Sequence, residues 1–221
     1  MESHHTPPTI TCYPAPFRSI DQVSFEIIDD APGSVYLLNA DGTVPPREIE
    51  TKVNVFWNPA FFFVLFRGQY IELRTARSQP IEAKTGKTLF LWEHSDVYEM
   101  FIGADARRTR IYKEFQIGPD SRRLDIYVDN RDGTVKGDFN WVSGFRCVSL
   151  VDEKRKTWNG MMEIPWKAFG TSLESNNVWD LNFYRASGRY HGDELLAWSP
   201  VGKGEKIFHQ PEKFGRMVFQ R

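Results

Sequence analysis

Three carboxylates on apolar segments are the residues of this sequence best suited to chemistry. Glu99, Glu114 and Glu163 each stand within a short run of apolar and aromatic residues. Two carboxyl groups about 5–5.5 Å apart support retaining glycoside hydrolysis, and two groups roughly 6.5–9.5 Å apart support the inverting reaction, provided that both face an open cleft. Single carboxylates instead accept hydrogen bonds from a ligand or from the protein. We favour ligand contact for Glu99 and a structural role for Glu163.

Aromatic residues are the compositional excess of the chain, with 7 Trp, 8 Tyr and 17 Phe. Aromatic rings serve either as core filling or as flat, exposed stacking surfaces. A pyranose presents C–H groups on its faces and hydroxyls around its rim, so rings cover the faces while carboxylates, amides and arginines bond the rim. The composition therefore agrees with a sugar ligand without requiring one.

Other chemical motifs are weak. The turn from Asp129 to Gly133 invites a calcium interpretation, but Arg131 occupies the position where an EF-hand loop needs an oxygen ligand, so a plain turn is favoured. The histidines lack the His-Glu-x-x-His spacing of a zinc site, and His209 is expected to be structural. Neither a Gly-x-Ser-x-Gly elbow nor a phosphate-binding glycine loop occurs.

Composition and charge exclude several classes of partner. The 28 basic and 29 acidic residues give a net charge of −1, so no overall field attracts nucleic acid or an anionic membrane.

Two cysteines, Cys12 and Cys147, cannot form a disulfide framework. No stretch approaches the roughly 18 apolar residues that span a bilayer. Residues 1–8 lack a secretory signal, so the chain as written predicts a cytoplasmic location, and a secreted or periplasmic one if a leader precedes it.

Alternation of β-branched and aromatic residues with turn clusters predicts an all-β fold. The predicted strands are Lys52–Trp57, Phe61–Phe66, Val97–Ile102, Arg110–Ile117, Arg123–Val128, Phe145–Leu150, Trp158–Ile164, Trp179–Arg185 and Arg216–Phe219.

Period two then assigns side chains to faces of each strand. Glu99 shares a face with Val97 and Phe101, which places a carboxylate among apolar neighbours and requires a polar partner for it. Asp180, Asn182 and Tyr184 form a polar face opposite Leu181 and Phe183.

We predict an antiparallel β-sandwich, jelly-roll-like, with one or two short helical turns. Residues 1–16 are rich in proline and are expected to form an irregular arm, with the sandwich domain at residues 17–221. The segment from Pro165 to Gly170 is the expected site of a helical turn.

Several ordered segments resemble the family 9 carbohydrate-binding modules and their relatives. The resemblance runs over about residues 50–220 and rests on Trp92–Phe101, Tyr112–Pro119, Met162–Gly170, Asn182–Arg185, Trp198–Pro200 and Phe208–Gly215.

The resemblance implies a β-sandwich that grips the sugar at a glycan chain end between two tryptophans. Trp92 and Trp198 stand where those residues are expected, Glu99 matches the family's sugar-binding glutamate, and Asn182 matches its asparagine. The family's arginine has no counterpart on the strand that carries Tyr112 and Glu114. Arg185 or Arg110 then takes its place, and Tyr112 and Glu114 become candidate sugar contacts.

The expected partner is thus a mono- or oligosaccharide, and the expected function is a non-catalytic module that holds a glycan near an enzyme of polysaccharide breakdown. No cofactor is expected, although the family sometimes holds structural calcium. One alternative is a glycoside hydrolase that uses the paired carboxylates. A second is haem binding through Met100 and His209, because related sandwich domains ligate haem through these residue types.

Overall fold

Short strands make up most of the regular structure. The computed structural model describes residues 6–23, 31–104, 110–171, 177–187, 195–202 and 208–220. The strands are β1 (Thr9–Pro14), β2 (Val35–Tyr36), β3 (Leu38–Asn39), β4 (Thr51–Trp57), β5 (Phe61–Gln69), β6 (Val97–Gly103), β7 (Ile111–Ile117), β8 (Arg123–Asp129), β9 (Lys136–Asp138), β10 (Arg146–Asp152), β11 (Thr157–Pro165), β12 (Val178–Ala186), β13 (Leu195–Ala197) and β14 (Gly215–Phe219). One α-helical turn, α1 (Leu91–His94), and four 3₁₀ turns accompany them, at Ile20–Gln22, Arg47–Ile49, Trp166–Ala168 and Pro211–Lys213.

The strands form two sheets that share β1. The first sheet has the order β10-β11-β5-β4-β1, with β2 beside β4. The second has the order β1-β14-β12-β6-β7-β8-β9, with β13 beside β12 and β3 beside β13. Residues Thr9–Cys12 of β1 pair with β14, and Tyr13–Pro14 pair with β4. The sheet is therefore continuous and curls over a core, like a sandwich joined along one edge.

The main core lies between the two sheets. On β6, Tyr98, Met100 and Ile102 are completely buried in it, and on β12 Leu181 and Phe183 are its members. Because successive side chains of a strand point to opposite faces, the alternate residues of β6 and β12 stand on the other side of the second sheet. We call that side the outer face.

The predicted all-β fold is confirmed, and all nine predicted strands are present with small shifts at their ends. The predicted turn after Pro165 is the 3₁₀ turn Trp166–Ala168. The prediction of antiparallel pairing holds for every described pair except the two made by β1, which are parallel.

The expectation of an irregular arm over residues 1–16 does not hold for Thr9–Pro14, which is β1. Ile10 and Cys12 alternate with Thr9 and Thr11 and point into the main core. Prolines such as Pro8 and Pro14 are typical of irregular segments, and for that reason the sequence does not predict this short strand.

Cys12 and Cys147 are both free thiols. Within the described ranges, no helix has the length and hydrophobicity of a segment that crosses a membrane.

Candidate functional site

A second apolar cluster covers the outer face of the second sheet. It is built on the residues of β6, β7, β8 and β12 that alternate with the main-core residues. Its fully or nearly fully buried members include Leu91, Val97, Phe101, Tyr112, Leu124, Ile126, Val128 and Tyr184. Trp92 and Phe139 are partly buried and pack against the same cluster. The outer face is therefore a second, largely dry layer, and polar side chains stand within it, among them three on β6 and β7.

These three side chains, Glu99, Glu114 and Gln116, form an acid–amide cluster. Glu99 lies opposite Gln116 across the β6–β7 pair. Gln116 Nε2 donates a hydrogen bond of 2.5 Å to Glu114 Oε1, and both glutamates are only 3% exposed. Gln116 Oε1 is buried and accepts no hydrogen bond from the described residues.

Burial in this dry layer disfavours the charged form of a carboxyl group. It raises the pKa of Glu114 to about 8, against the opposing effect of the Gln116 hydrogen bond. Burial also raises the pKa of Glu99 well above its ordinary value, and the neighbouring Glu114 charge raises it further. Near neutral pH Glu114 is therefore largely protonated, and its carboxyl group can donate as well as accept a hydrogen bond.

The segment that begins at Phe208 covers part of this face. The Tyr184 ring stacks on the Phe208 ring with centroids 4.0 Å apart, and Tyr184 Oη donates to the Phe208 carbonyl at 3.0 Å. Tyr112 Oη bonds His209 Nδ1 at 2.8 Å, and Asn130 Nδ2 donates to the His209 carbonyl at 3.1 Å. His209 is thus held by hydrogen bonds, as the sequence predicts for a structural histidine.

A partly exposed aromatic platform borders the same face, with one exposed ring and two half-buried ones. Its rings are Phe90, Trp92 and Phe139, with centroids 5.5 Å apart for Phe90–Trp92, 5.4 Å for Phe90–Phe139 and 6.3 Å for Trp92–Phe139. Phe90 is 46% exposed, and the preceding Leu89 is 40% exposed. Apolar side chains of this size normally bury more of their surface, and a contiguous exposed group of them marks a contact surface.

The backbone at Phe90 is strained. Its φ of 53° and ψ of 41° place it in the left-handed region at the start of α1. A bulky residue adopts this conformation at a cost of roughly 1–3 kcal/mol, and such strain concentrates at functional sites. Glycine or asparagine would adopt this left-handed conformation with less strain than phenylalanine.

A buried lysine holds the platform in place. Lys87 is completely buried, and its Nζ donates to the carbonyls of Asp125 at 2.6 Å, Phe139 at 2.9 Å and Trp141. It also pairs with Asp125 Oδ1 at 3.3 Å. The other carboxylate oxygen of Asp125 accepts from the Ser143 amide at 2.6 Å. The ammonium therefore ties the loop before Phe90 to the backbone of Phe139.

Trp198 lies in the main core and not beside Trp92. It is 5% exposed and packs against Phe183, with ring centroids 5.7 Å apart. A Cβ atom added to Gly215 would lie 2.4 Å from the Trp198 ring, so the glycine is needed for the ring to fit. The two tryptophans of the predicted grip thus belong to different layers of the protein.

Asn182 and Arg185 are buried and engaged with the protein. Asn182 Nδ2 donates to the Ser199 carbonyl at 2.8 Å, and its Oδ1 accepts from the Ser199 amide at 2.9 Å. Arg185 lies on the opposite face of β12, where Nη1 donates to the carbonyls of Ile49 at 3.0 Å and Gln69 at 2.6 Å. These contacts tie β12 to neighbouring segments.

Of the seven predicted contacts, the structure places Glu99, Tyr112, Glu114 and Asn182 on the outer face, with Trp92 at its border. It adds three residues that the sequence did not single out, Phe90, Phe139 and Gln116. The sequence could have predicted that Gln116 shares a face with Tyr112 and Glu114, because the three alternate along one strand.

Glu99 and Glu114 lie in one cluster but are each only 3% exposed, so they do not face an open cleft, and the other groups proposed for the alternative functions lie apart. Glu163 lies on β11 in the first sheet, where it accepts from the Ile20 amide at 2.7 Å and from Arg146 at 3.2 Å. Met100 is buried in the main core, whereas His209 packs against Phe101 on the outer face, so the sheet separates them. One iron cannot be ligated by both.

The turn considered for calcium has its carboxylates paired with cations. Asp129 pairs with Arg131 at 2.6 Å, and Asp132 pairs with Lys136 at 2.5 Å. In the described part of the chain, no group of three or more His, Cys, Asp or Glu side chains is arranged to hold a metal ion.

Comparison with solved structures agrees with the architecture. A Bacteroides uniformis protein, provisionally described as carbohydrate-binding, matches with a TM-score of 0.73 at 18% identity, over 97% of this chain and 100% of its own. The chain has a fold like that of the family 9 carbohydrate-binding modules. Two structures of such a module from Caldicellulosiruptor kristjanssonii match at 11% identity over 96% of this chain.

The structure in complex with glucose has a TM-score of 0.61 and is covered over 95% of its chain, and the one with cellotriose has a TM-score of 0.62 and is covered over 93%. No family model and no curated protein matches the sequence. The likeness therefore lies in the fold.

Proposed function

We propose that the protein binds carbohydrate, and that sugar rings stack on the platform of Phe90, Trp92 and Phe139. The observation that carries this proposal is the half-exposed Phe90 in a left-handed backbone conformation, beside two further rings. The C–H face of a pyranose packs against the face of an aromatic ring, and these rings supply several such faces at different inclinations. Glu93 and Asn140, which follow Trp92 and Phe139 in the chain, are the nearest polar residues in sequence for bonding its hydroxyls.

The fold supports the same function, because modules with this architecture have been solved with glucose and cellotriose bound. The finer form of the proposal is a grip on the terminal sugar of a glycan, in the service of polysaccharide breakdown. Since Trp198 lies in the main core, Phe90 and Phe139 are the rings that flank Trp92 in this proposal.

The proposal is tested by titration calorimetry with glucose, xylose, mannose and the corresponding trisaccharides. We expect Trp92→Ala and Phe90→Ala each to weaken binding at least tenfold, about 1.4 kcal/mol, as for aromatic residues at the centre of a contact. Tyr36→Ala is the matched control, because Tyr36 is 52% exposed but lies outside the platform. Glu99→Gln and Glu114→Gln measure whether the acid–amide cluster also contacts the sugar.

Chain-end binding is tested with cellotriose whose reducing end has been converted to the alditol. A terminal grip on that end predicts loss of binding, whereas stacking along the chain predicts little change. Absence of binding to every sugar would refute the proposed function, and full affinity in both Trp92→Ala and Phe90→Ala would refute the proposed surface.

A further inference from the structure

A cavity of about 400 Å³ opens beside the turn between β7 and β8, away from the aromatic platform's rings. Its lining includes Arg77, Arg122 and Arg123, and the only carboxylate in that lining is Asp120. The cavity is therefore strongly positive although the chain as a whole carries a net charge of −1. A local excess of this kind is what attracts an anion.

One of the three arginines is committed to the protein. Arg122 Nη1 donates to Thr88 Oγ1 at 3.1 Å, and Nη2 donates to the Arg77 carbonyl at 2.8 Å. Its Nε lies 3.5 Å from Asp120 Oδ2, which balances its charge. Arg122 thus builds the wall of the cavity, and two positive charges remain.

The remaining charges belong to Arg77 and Arg123. Among the described residues, no carboxylate lies within ion-pair distance of either side chain. Arg123 is anchored through Nη1 to the Phe145 carbonyl, and its guanidinium lies 5.4 Å from the Phe145 ring centroid. That anchor leaves Nη2 directed toward Gly86, where an added Cβ would lie 3.2 Å away. A side chain at position 86 would therefore crowd Nη2, and glycine avoids that contact.

The acidic residue next to Ile81, Glu82, is hydrogen-bonded within its own turn. Its carboxylate accepts from the amides of Lys84 at 3.1 Å and Thr85 at 2.6 Å within its own turn. The cavity wall also contains Ile81, whose side chain is 58% exposed. An exposed isoleucine beside two available guanidinium groups suits a ligand that has an apolar part as well as a negative charge.

We propose that this cavity binds the carboxylate of a small organic acid, of which a sugar acid such as glucuronate is an example. The guanidinium group bonds a carboxylate through two parallel N–H donors, and Arg77 and Arg123 supply such groups. Ile81 contacts the carbon skeleton of the ligand. The site is separate from the platform, and neither requires the other to be correct.

The test is a chemical-shift titration of the ¹⁵N-labelled protein with sodium glucuronate, sodium sulfate and glucose at low ionic strength. We expect glucuronate to bind, with the largest shifts at Gly86 and around Arg123, and glucose to leave those signals unchanged. Arg77→Gln should weaken glucuronate binding about tenfold, since a charged hydrogen bond is lost. Arg131→Gln, the same charge change at an exposed position elsewhere, should have no effect.

Two further variants test the kind of ligand and the site that binds it. Ile81→Ser should weaken glucuronate binding and leave any sulfate binding unchanged. Trp92→Ala should leave glucuronate binding unchanged, so failure at the platform and failure at the cavity are distinguishable. Glucuronate shifts no larger than those of glucose, or equal affinity in Arg77→Gln and the unaltered protein, would overturn the proposal. Sulfate binding as tight as glucuronate binding would overturn the assignment to an organic acid.

Discussion

Replacing Glu114 with glutamine is expected to stabilise the protein above pH 7 and to flatten the dependence of its stability on pH. The folded-state pKa of Glu114 is about 8, against 4.5 for the ordinary group. Between these values the folded protein binds more protons than the unfolded chain. The free energy of unfolding therefore falls as the pH rises through this window.

The magnitude follows from the size of the pKa difference. One additional bound proton gives a slope of about 1.4 kcal/mol per pH unit, so the loss between pH 4.5 and pH 8 is at most roughly 5 kcal/mol. Glu99 adds to the slope, because burial and the Glu114 charge raise its pKa too. A glutamine at position 114 removes one of the two groups and still offers Gln116 an oxygen acceptor.

Urea unfolding followed by tryptophan fluorescence at pH 5.5, 7.0 and 8.5 measures the effect. We expect a steep loss of stability in the unaltered protein, a shallower one in Glu114→Gln, and the shallowest in the double variant with Glu99→Gln. Glu48→Gln, at an exposed position, is the control and should follow the unaltered protein. Equal slopes in all variants, or greater stability of the unaltered protein at pH 8.5 than at pH 5.5, would refute the reasoning.

Three further substitutions separate stability from binding. Lys87→Met should lower the free energy of unfolding by about 3–5 kcal/mol in urea titrations, because it leaves the Asp125 carboxylate buried without its cation. Trp198→Ala should cost about 3–5 kcal/mol in the same assay, since it empties a core position. Phe90→Gly relieves a left-handed backbone, so its melting temperature should stay near or above that of the unaltered protein while calorimetry shows loss of sugar binding. A large loss of stability in Phe90→Gly would contradict the last expectation.

Period-two alternation accounts for what the sequence predicted well. It separated Glu99 and Phe101 from Tyr98 and Met100 on β6, and the two cores of the structure divide these residues in the same way. Strand faces are local properties of the chain, because each residue's direction follows from its neighbour's.

The sequence did not predict the environments of Trp198, Arg185 and Lys87, because these depend on packing between different segments of the chain. Whether Trp198 is exposed depends on Gly215, which β14 brings beneath its ring from a distant part of the chain. Arg185 turns toward the carbonyls of Ile49 and Gln69, which only the pairing of strands places there. Lys87 has no local pattern that distinguishes a buried lysine from an exposed one, and its role appears only with the carbonyls gathered around it.

The position of β1 between the two sheets has a consequence for how the protein is made. Thr9 lies opposite Arg216, so one edge of an early strand is completed only after the ribosome has added β14. Contacts so distant in sequence form slowly, because the intervening chain must first be closed into a loop. Until then the first residues of β1 remain open to pairing with other chains. Shortening β1 should therefore reduce the yield of folded protein more than its six residues suggest.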